Sequence, residues 1–210
     1  MTISVVVPAY NEEKYISNVI GILQKIDLIG EIIVVNDGST DDTAEAAKKY
    51  SIKLIEHTIN KGKGAAMHTG FQASSLEVVM FLDADLIGLS PTHILSLSSP
   101  VIESMADMTL GIFDNGRLRT DLAQVVAPSL TGQRCIRKSC FADFNHWTEV
   151  GYGIESALNK FAQKKSLRVT TVALEGVTHV MKEEKYGLVH GFSSRMKMYR
   201  EIVKNGRSEV

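Results

Sequence analysis

Residues 77–85 read EVVMFLDAD, and this stretch indicates both a fold class and a chemistry. Residues 77–82, which are apolar from Val78 onward, predict a strand that is buried on both faces, as in parallel sheets covered by helices. Asp83 and Asp85 follow at the end of this strand, where two carboxylates can face one hard divalent cation and its bound phosphates. The same spacing is also compatible with two acidic residues that only cap the next turn.

Apolar runs and helical patterns alternate along the first half of the chain. Strands are predicted at residues 3–7, 31–35, 53–57 and 77–82, and helices at residues 13–26, 40–50 and 65–74. Such alternation predicts an α/β fold with a central, mostly parallel sheet and helices on both faces. In these folds ligands bind beyond the carboxyl ends of the strands, so the loops at that edge hold the candidate site.

The second half has a less regular order. The predicted elements are a helix at residues 92–105, a strand at 108–113, a polar loop at 114–124, a helix at 154–164, a strand at 168–174 and an amphipathic helix at 188–204. We expect the loop at residues 114–124 to be mobile. Because no internal repeat or linker is visible, we expect one domain over residues 1–210.

The composition favours a globular domain whose main partner is not nucleic acid. Of the 210 residues, 44% are hydrophobic and 22% are charged, and the net charge is -1. This balance gives no overall field that would attract nucleic acid. Cys135 and Cys140 are too few for a disulfide framework and favour a reducing compartment. The start MTISVVVPAYNEE lacks the features of a secretory leader, so a cytoplasmic location is expected.

Two polar clusters follow the first two predicted strands. Pro8-Ala9-Tyr10-Asn11-Glu12 combines a tyrosine ring with amide and carboxylate groups, a set that suits a nucleobase. Asp37, within Asn36-Asp37-Gly38-Ser39, stands where acidic residues of other doubly wound nucleotide binders contact a ribose or a base N–H. Each cluster is also compatible with an ordinary strand exit, turn or helix cap.

A basic loop, Asn60-Lys61-Gly62-Lys63-Gly64, precedes the third predicted helix. Backbone N–H groups at a helix start, together with the ammonium group of Lys63, are suited to a diphosphate. The loop does not match the phosphate-binding pattern of ATPases, and Met67 takes the third glycine position of the dinucleotide fingerprint. A solvated surface loop is the alternative.

Taken in order, these four motifs resemble those of the family 2 glycosyltransferases of the GT-A fold. The resemblance implies a Rossmann-like nucleotide-binding half at residues 1–90 and an acceptor half at residues 91–210. Lys63 would then contact the diphosphate, Asp85 the metal, and Asp83 the ribose or a water on the metal. The residues implied to bind the nucleotide are Pro8, Ala9, Tyr10, Glu12, Asp37, Gly38, Lys63, Asp83 and Ala84.

The second half resembles this family over shorter segments. Gly132-Gln133-Arg134 is similar to the acceptor-side strand of these enzymes, and residues 151–155 are similar to a segment of glucosyl- and mannosyl-phosphoglycerate synthases. His179 is implied as a further metal ligand beside carboxylate and diphosphate oxygens. The resemblance implies that Gly132, Gln133 and Tyr152 contact the acceptor or the sugar, and that the catalytic residues are Lys63, Asp85, Arg134 and Glu155.

The implied activity is transfer of a hexose from a nucleoside diphosphate sugar to a hydroxyl or phosphate acceptor, with Mg2+ or Mn2+. A UDP-sugar is favoured over a GDP-sugar. Many inverting members carry an acidic pair as general base, whereas only Glu149 and Glu155 lie near that place here, so the stereochemical outcome is open. Two alternatives remain. One is a catalytically silent partner protein that binds a nucleotide-sugar. The other is a sugar-phosphate nucleotidyltransferase, although residues 8–12 do not match the glycine-rich loop, ending in Arg and Lys, of those enzymes.

The last stretch, residues 182–207, mixes basic with apolar side chains. This pattern is compatible with a helix that docks on an anionic membrane, as the polyprenyl-phosphate acceptors of the more distantly related dolichyl-phosphate mannose synthases would require. A helix packed on the chain's own sheet is the alternative. The expected location is therefore the cytoplasm, either free or at the inner face of the membrane, and the oligomeric state is open.

Overall fold

The structure, a computed structural model, describes residues 1–114, 131–148 and 153–179. For Asp114 and His179 it describes the backbone. Four predicted features lie outside these ranges: Glu149, Tyr152, the helix at residues 188–204, and all but the first residue of the loop at residues 114–124.

A seven-stranded sheet forms the centre of the fold. The described strands are β1 (Ile3–Ala9), β2 (Ile29–Asn36), β3 (Lys53–Glu56), β4 (Val78–Phe81), β5 (Leu86–Ile87), β6 (Met108–Asp114), β7 (Arg134–Arg137), β8 (Val169–Glu175) and β9 (Thr178–His179). The sheet has the order β3-β2-β1-β4-β7-β6-β8, and β5 pairs with β9 separately. β7 runs antiparallel to both of its neighbours, whereas the other pairs in the sheet are parallel. The sheet is therefore mostly parallel, as predicted.

Helices cover both faces of this sheet. The described α-helices are α1 (Ile16–Leu23), α2 (Thr43–Lys48), α3 (Lys63–Ala73), α4 (Pro91–Ile102) and α5 (Ile154–Lys164). Residues of α1, α2 and α4 share one core with Val5 and Val7 of β1, and residues of α3 and α5 share the other with Val6. Successive side chains of β1 thus enter opposite cores, as expected of a strand buried on both faces. Within the described ranges, no helix combines the length and apolar character that crossing a membrane requires.

β1 continues through Pro8 to Ala9, whereas the sequence predicted that the proline would end the strand. The carbonyl of Val6 accepts a hydrogen bond from the N–H of Leu82, on the side of β4. The carbonyl of Ala9 accepts one from the N–H of Asp37, on the side of β2. Pro8 has the same orientation as Val6, but β4 has already ended on that side, so the missing N–H of Pro8 costs no ladder bond.

The first two helices are shorter than predicted. α1 begins at Ile16 rather than at residue 13, and α2 begins at Thr43 rather than at residue 40. The N–H of Glu12 donates to Thr43 Oγ1 at 2.8 Å, and the N–H of Glu13 donates to Asp41 Oδ2 at 3.2 Å. These bonds join the loops after β1 and β2 and occupy groups that would otherwise start the helices.

α3 begins at Lys63, two residues before its predicted start. Gly62 precedes it with a φ of +93°, in the left-handed region that favours glycine. Lys63 therefore lies in the first turn of a helix, near the backbone N–H groups that a helix start leaves without intrahelical partners.

Candidate active site

The candidate site lies at the edge of the sheet where the parallel strands β1, β2 and β4 end. Because β7 runs in the opposite direction, its first residue lies at this same edge, with Arg134 paired to Phe81 in register. The residues just before β7, Gly132 and Gln133, consequently lie beside Asp83, which follows β4. The reversal of one strand thus brings the two halves of the chain together at the site.

Lys63 bridges two carboxylates at this edge. Its Nζ lies 2.7 Å from Asp83 Oδ1 and 2.8 Å from Glu155 Oε1. Burial alone would lower the pKa of Lys63, but the two carboxylates outweigh burial and raise the pKa above its ordinary value. Lys63 is therefore a fixed cation at neutral pH. We call Lys63, Asp83 and Glu155 the ion cluster.

The segment before β7 holds Asp83 from another direction. Gln133 Nε2 donates to Asp83 Oδ2 at 2.7 Å, and Gln133 Oε1 accepts from the N–H of Asp83 at 3.0 Å. Gly132 provides the space for the ion cluster, because a Cβ there would lie 2.6 Å from both Asp83 Oδ2 and Lys63 Nζ. Gly132 and Gln133 thus contact the ion cluster, while their predicted contact with an acceptor or sugar stays a prediction.

Arg134 is fully buried next to the ion cluster. Its Nη2 donates to the carbonyl of Thr131 at 2.6 Å, and its Nη1 lies 3.4 Å from both the carbonyl of Glu155 and Asn159 Oδ1. Burial lowers the pKa of Arg134 to about 10, against the opposing effect of Glu155, so the side chain remains charged at neutral pH. Arg134 therefore ties the segment before β7 to the first turns of α5, and its predicted part in catalysis stays a prediction.

Asp37 holds the basic glycine loop and is only 2% exposed. Its Oδ1 accepts from the N–H of Lys61 at 3.0 Å and its Oδ2 from the N–H of Gly62 at 2.7 Å. His57 Nδ1 lies 2.6 Å from Asp37 Oδ1, and His57 Nε2 lies 2.9 Å from Thr69 Oγ1 on α3. Asp37 thus fixes the loop that leads into Lys63, and its predicted contact with the nucleoside stays a prediction.

The loops after β1 and β2 form one unit beside the glycine loop. The N–H of Asn11 donates to Ser39 Oγ at 3.0 Å. Gly38, with a φ of +70°, packs against the backbone of Ile59, where a Cβ would lie 2.5 Å from the nearest atom. Tyr10 is 38% exposed on this unit, so part of its ring is accessible to a ligand.

Asp85 lies directly before β5 and is half-buried. β5 and β9 pair in antiparallel fashion, with Leu86 opposite His179. The backbone of His179 therefore lies beside the residue that follows Asp85, while the predicted role of His179 as a metal ligand stays a prediction. Among the side chains that the structure describes, no group of three or more His, Cys, Asp or Glu could by itself hold a metal ion.

The predicted site residues thus fall into groups at one edge. One group is the ion cluster with Gly132, Gln133 and Arg134; another consists of Pro8, Ala9, Tyr10, Glu12, Asp37 and Gly38; the third is Ala84, Asp85 and the backbone of His179. The sequence did not reveal the bonds of His57 to Asp37 or of Asn159 to Arg134. The place of His57 directly after β3 was a usable signal, since it puts the side chain at the same edge.

This chain belongs to glycosyl transferase family 2, since the family model matches residues 4–167. Glucosyl-3-phosphoglycerate synthase of Mycobacterium tuberculosis is 31% identical, over 75% of this chain and 59% of the relative. Dolichol-phosphate mannosyltransferase of Pyrococcus furiosus is 34% identical, over 53% of this chain and 33% of the relative. The chain thus spans between a third and three fifths of the lengths of these curated relatives. The resemblance seen in the sequence is confirmed.

Solved structures of the Mycobacterium tuberculosis synthase share the fold. Its complex with Mn2+ and UDP-glucose aligns with a TM-score of 0.78 and 25% identity, covering 96% of this chain and 76% of that one. Its complex with Mn2+, UDP and glucosyl-3-phosphoglycerate aligns with a TM-score of 0.71 and 28% identity, covering 85% of this chain and 72% of that one. The predicted GT-A-like fold is confirmed by these matches.

Proposed function

We propose that this chain is a metal-dependent glycosyltransferase that moves a hexose from a UDP-sugar to a hydroxyl or phosphate oxygen of an acceptor. The observation that carries the proposal is the ion cluster beside Asp85 at the carboxyl edge of the sheet. The ion cluster combines a fixed cation with two carboxylates at the edge where ligands bind in such folds. Family membership supports the enzyme class, and the solved synthase binds UDP-glucose with Mn2+ and UDP with Mg2+.

Asp85 and His179 are the residues that would hold Mg2+ or Mn2+. Mg2+ is usually held by one or two carboxylates together with substrate phosphates, not by a complete protein cage. Asp85, which follows β4 and is half-buried, would supply such a carboxylate. When bound, the ion neutralises the charge that develops on the leaving diphosphate.

Lys63 supplies the positive charge that the chain itself directs at the diphosphate. The ammonium group lies in the first turn of α3, where backbone N–H groups add partial positive charge. Asp83 and Glu155 hold it in one position, so little reorganisation is needed as negative charge develops on the donor.

The nucleoside is proposed to lie against the joined loops after β1 and β2. Tyr10 presents an accessible ring there, and Gly38 keeps the backbone of the second loop close to the third. A ring face and nearby polar groups are the usual components of a nucleobase site. This placement is compatible with uracil, which the proposal assigns to the donor.

The activity can be tested with the full-length protein and a matrix of donors and metals. UDP-glucose, UDP-N-acetylglucosamine and GDP-mannose are incubated with Mn2+, Mg2+ or EDTA, and with 3-phosphoglycerate, a polyprenyl phosphate or no acceptor. We expect metal-dependent UDP release together with a product that is heavier than its acceptor by one hexose. Pyrophosphate release from UTP and a sugar 1-phosphate would favour the nucleotidyltransferase instead, and donor binding without turnover would favour the silent partner.

We further propose that residues 1–210 form one domain in the cytoplasm, which is either free or in peripheral contact with the membrane through residues 188–204. The pairing of β4 with β7 across the two halves supports the single domain. Co-sedimentation with vesicles of anionic lipid, compared with vesicles of neutral lipid, tests the membrane contact.

A further inference from the structure

Gln133 is buried beneath the candidate site and uses both polar atoms of its side chain on one neighbour. Only 1% of the residue is exposed to solvent. Its Nε2 donates to the carboxylate of Asp83 at 2.7 Å, and its Oε1 accepts from the backbone N–H of the same residue at 3.0 Å. These bonds use one of the two N–H donors and one of the two acceptor lone pairs of the amide, and burial keeps the rest of the group from direct contact with a substrate.

The two bonds fix different parts of Asp83. The bond to the N–H orients the backbone where the chain leaves β4, and therefore also the direction of the chain towards Asp85. The bond to Oδ2 selects one side-chain orientation, in which Oδ1 is left to contact Lys63 at 2.7 Å. Loss of the amide would leave both a buried N–H and a carboxylate oxygen without this partner.

Gln133 can act as a fixed reference because its own backbone is anchored. Its carbonyl accepts from the N–H of Gly111 on β6 at 2.8 Å, and its N–H donates to Thr131 Oγ1 at 3.1 Å. The side chain thus fixes Asp83, which lies on a loop, relative to the sheet. Supporting residues of this kind set the precision of a catalytic constellation.

We propose that Gln133 is a positioning residue that orients Asp83 towards Lys63 and the donor, and that it does not recognise the acceptor. This proposal rests on the proposed glycosyltransferase function. The proposed role requires a side chain at position 133 that donates one hydrogen bond and accepts another at the same time. Leucine offers neither, and glutamate retains the acceptor for the N–H but sets an oxygen against the carboxylate of Asp83.

The test compares Gln133→Leu and Gln133→Glu with the wild type and with Ser98→Ala. Ser98 is a matched control because it is also fully buried, and it bonds the carbonyl of Ile94 within α4. The measurements are kcat, KM for UDP-sugar, KM for the acceptor, and the Kd of UDP with Mn2+. Hydrogen exchange of the peptide that spans residues 82–85 is followed in parallel, since it reports the bond to Asp83 without requiring activity.

We expect both Gln133 variants to raise KM for the donor and the Kd of UDP by about tenfold or more, as for a charged group that loses a hydrogen bond. KM for the acceptor should stay within about twofold of the wild type, and residues 82–85 should exchange faster in Gln133→Leu. Ser98→Ala should leave donor affinity and this exchange unchanged.

A rise in acceptor KM with unchanged donor KM would overturn the proposal in favour of acceptor binding. Unchanged exchange at residues 82–85 in Gln133→Leu would also overturn it. If Gln133→Leu does not fold, Gln133→Glu, which has nearly the same shape, decides the question. Failure of the proposed function is distinguishable, because the wild type would then neither bind UDP with Mn2+ nor turn over a donor, while the exchange measurement would still test the contact.

Discussion

At the residue scale, the proposed activity depends on the ammonium group of Lys63. Two carboxylates lie within 2.8 Å of it, and 29% of the side chain remains exposed, so a ligand can reach it. Charged donors form hydrogen bonds that are roughly twice as strong as neutral ones, which makes this group the best candidate for direct contact with a diphosphate.

Replacement of this lysine, Lys63→Met, should lower kcat/KM for the donor by about 10²- to 10³-fold, the loss seen when a preorganised donor to developing charge is removed. Lys48→Met is the matched control, because Lys48 pairs with Glu45 and Glu56 on an exposed surface. Steady-state kinetics with saturating Mn2+ measures both variants. Equal activity of the two would show that Lys63 takes no part in the reaction.

Gly132→Ala should disturb the ion cluster without unfolding the protein. The added Cβ would lie 2.6 Å from Asp83 Oδ2 and from Lys63 Nζ, and both atoms end flexible side chains that can move apart. We expect donor turnover to fall while the thermal midpoint changes little. Gly21→Ala is the control, since a Cβ at this position in α1 meets no atom within 4 Å and should stabilise the helix by up to about 1 kcal/mol. An active Gly132→Ala variant would show that the observed geometry of the ion cluster is dispensable.

The sequence predicted the members of the site better than their contacts. Lys63, Asp83 and Glu155 were each proposed from a motif, but no pattern indicated that one lysine would bridge both carboxylates. Asp83 and Gln133 are 50 residues apart, and their pairing depends on the reversed direction of β7, which the apolar pattern of a short strand does not encode.

At the element scale, α3 carries Lys63 and must pack closely on β1. Gly70 makes this possible, because a Cβ there would lie 2.2 Å from Val6 Cγ1. Val6 is fully buried in the middle of the sheet, so it has little room to move. The position of Lys63 at the site edge is therefore coupled to a helix-to-sheet contact two turns away.

Gly70→Ala should accordingly lower the free energy of unfolding by about 1–3 kcal/mol, the usual cost of overpacking a core. It should also reduce donor turnover, because α3 is pushed away from β1 and takes Lys63 with it. Urea denaturation and steady-state kinetics measure the two effects, again with Gly21→Ala as control. Wild-type stability in Gly70→Ala would contradict the close packing of α3 on β1.

The ends of helices could be predicted where a buried apolar face defines the helix. They were predicted less well where residues at a helix start bond to another loop instead. α5 was predicted at residues 154–164 and is found as Ile154–Lys164. Its apolar residues recur at helical spacing and form one buried face, which makes the helix easy to recognise. α1 and α2 begin late because the N–H groups of Glu12 and Glu13 donate to Thr43 and Asp41 across two loops. Such bonds between segments distant in sequence leave no local signal.

At the scale of the whole molecule, the sheet is extended at its far side by the parallel pair β6 and β8. Asp107 and Arg168 precede these strands and join them through two side-chain hydrogen bonds, from Nε at 3.1 Å and from Nη2 at 2.8 Å. The N–H of Arg168 also donates to the Asp107 carboxylate at 2.9 Å. This contact holds the start of the edge strand to the rest of the sheet.

The contact should make stability depend on pH in the acid range. Hydrogen bonds from Arg168 lower the pKa of Asp107 below its ordinary value and outweigh the effect of partial burial. A lowered folded-state pKa contributes stability that is present above the unfolded-state value of about 3.9 and is lost as pH falls through the folded-state value. Asp107→Asn should therefore be less stable than the wild type at pH 6, and the difference in thermal midpoint should shrink towards pH 2.5. Arg168→Met should behave in the same way, whereas a pH-independent difference for both variants would contradict the assignment.

The central claim is that Asp85 holds a divalent cation for a UDP-sugar at the carboxyl edge of the sheet. Isothermal titration of UDP into the wild type and Asp85→Asn, each with Mn2+ and with EDTA, tests it most directly. We expect the wild type to bind UDP tightly with Mn2+ and weakly with EDTA, and Asp85→Asn to show only the weak, metal-independent binding. Tight, Mn2+-dependent binding by Asp85→Asn, or no binding of UDP to the wild type under either condition, would contradict it.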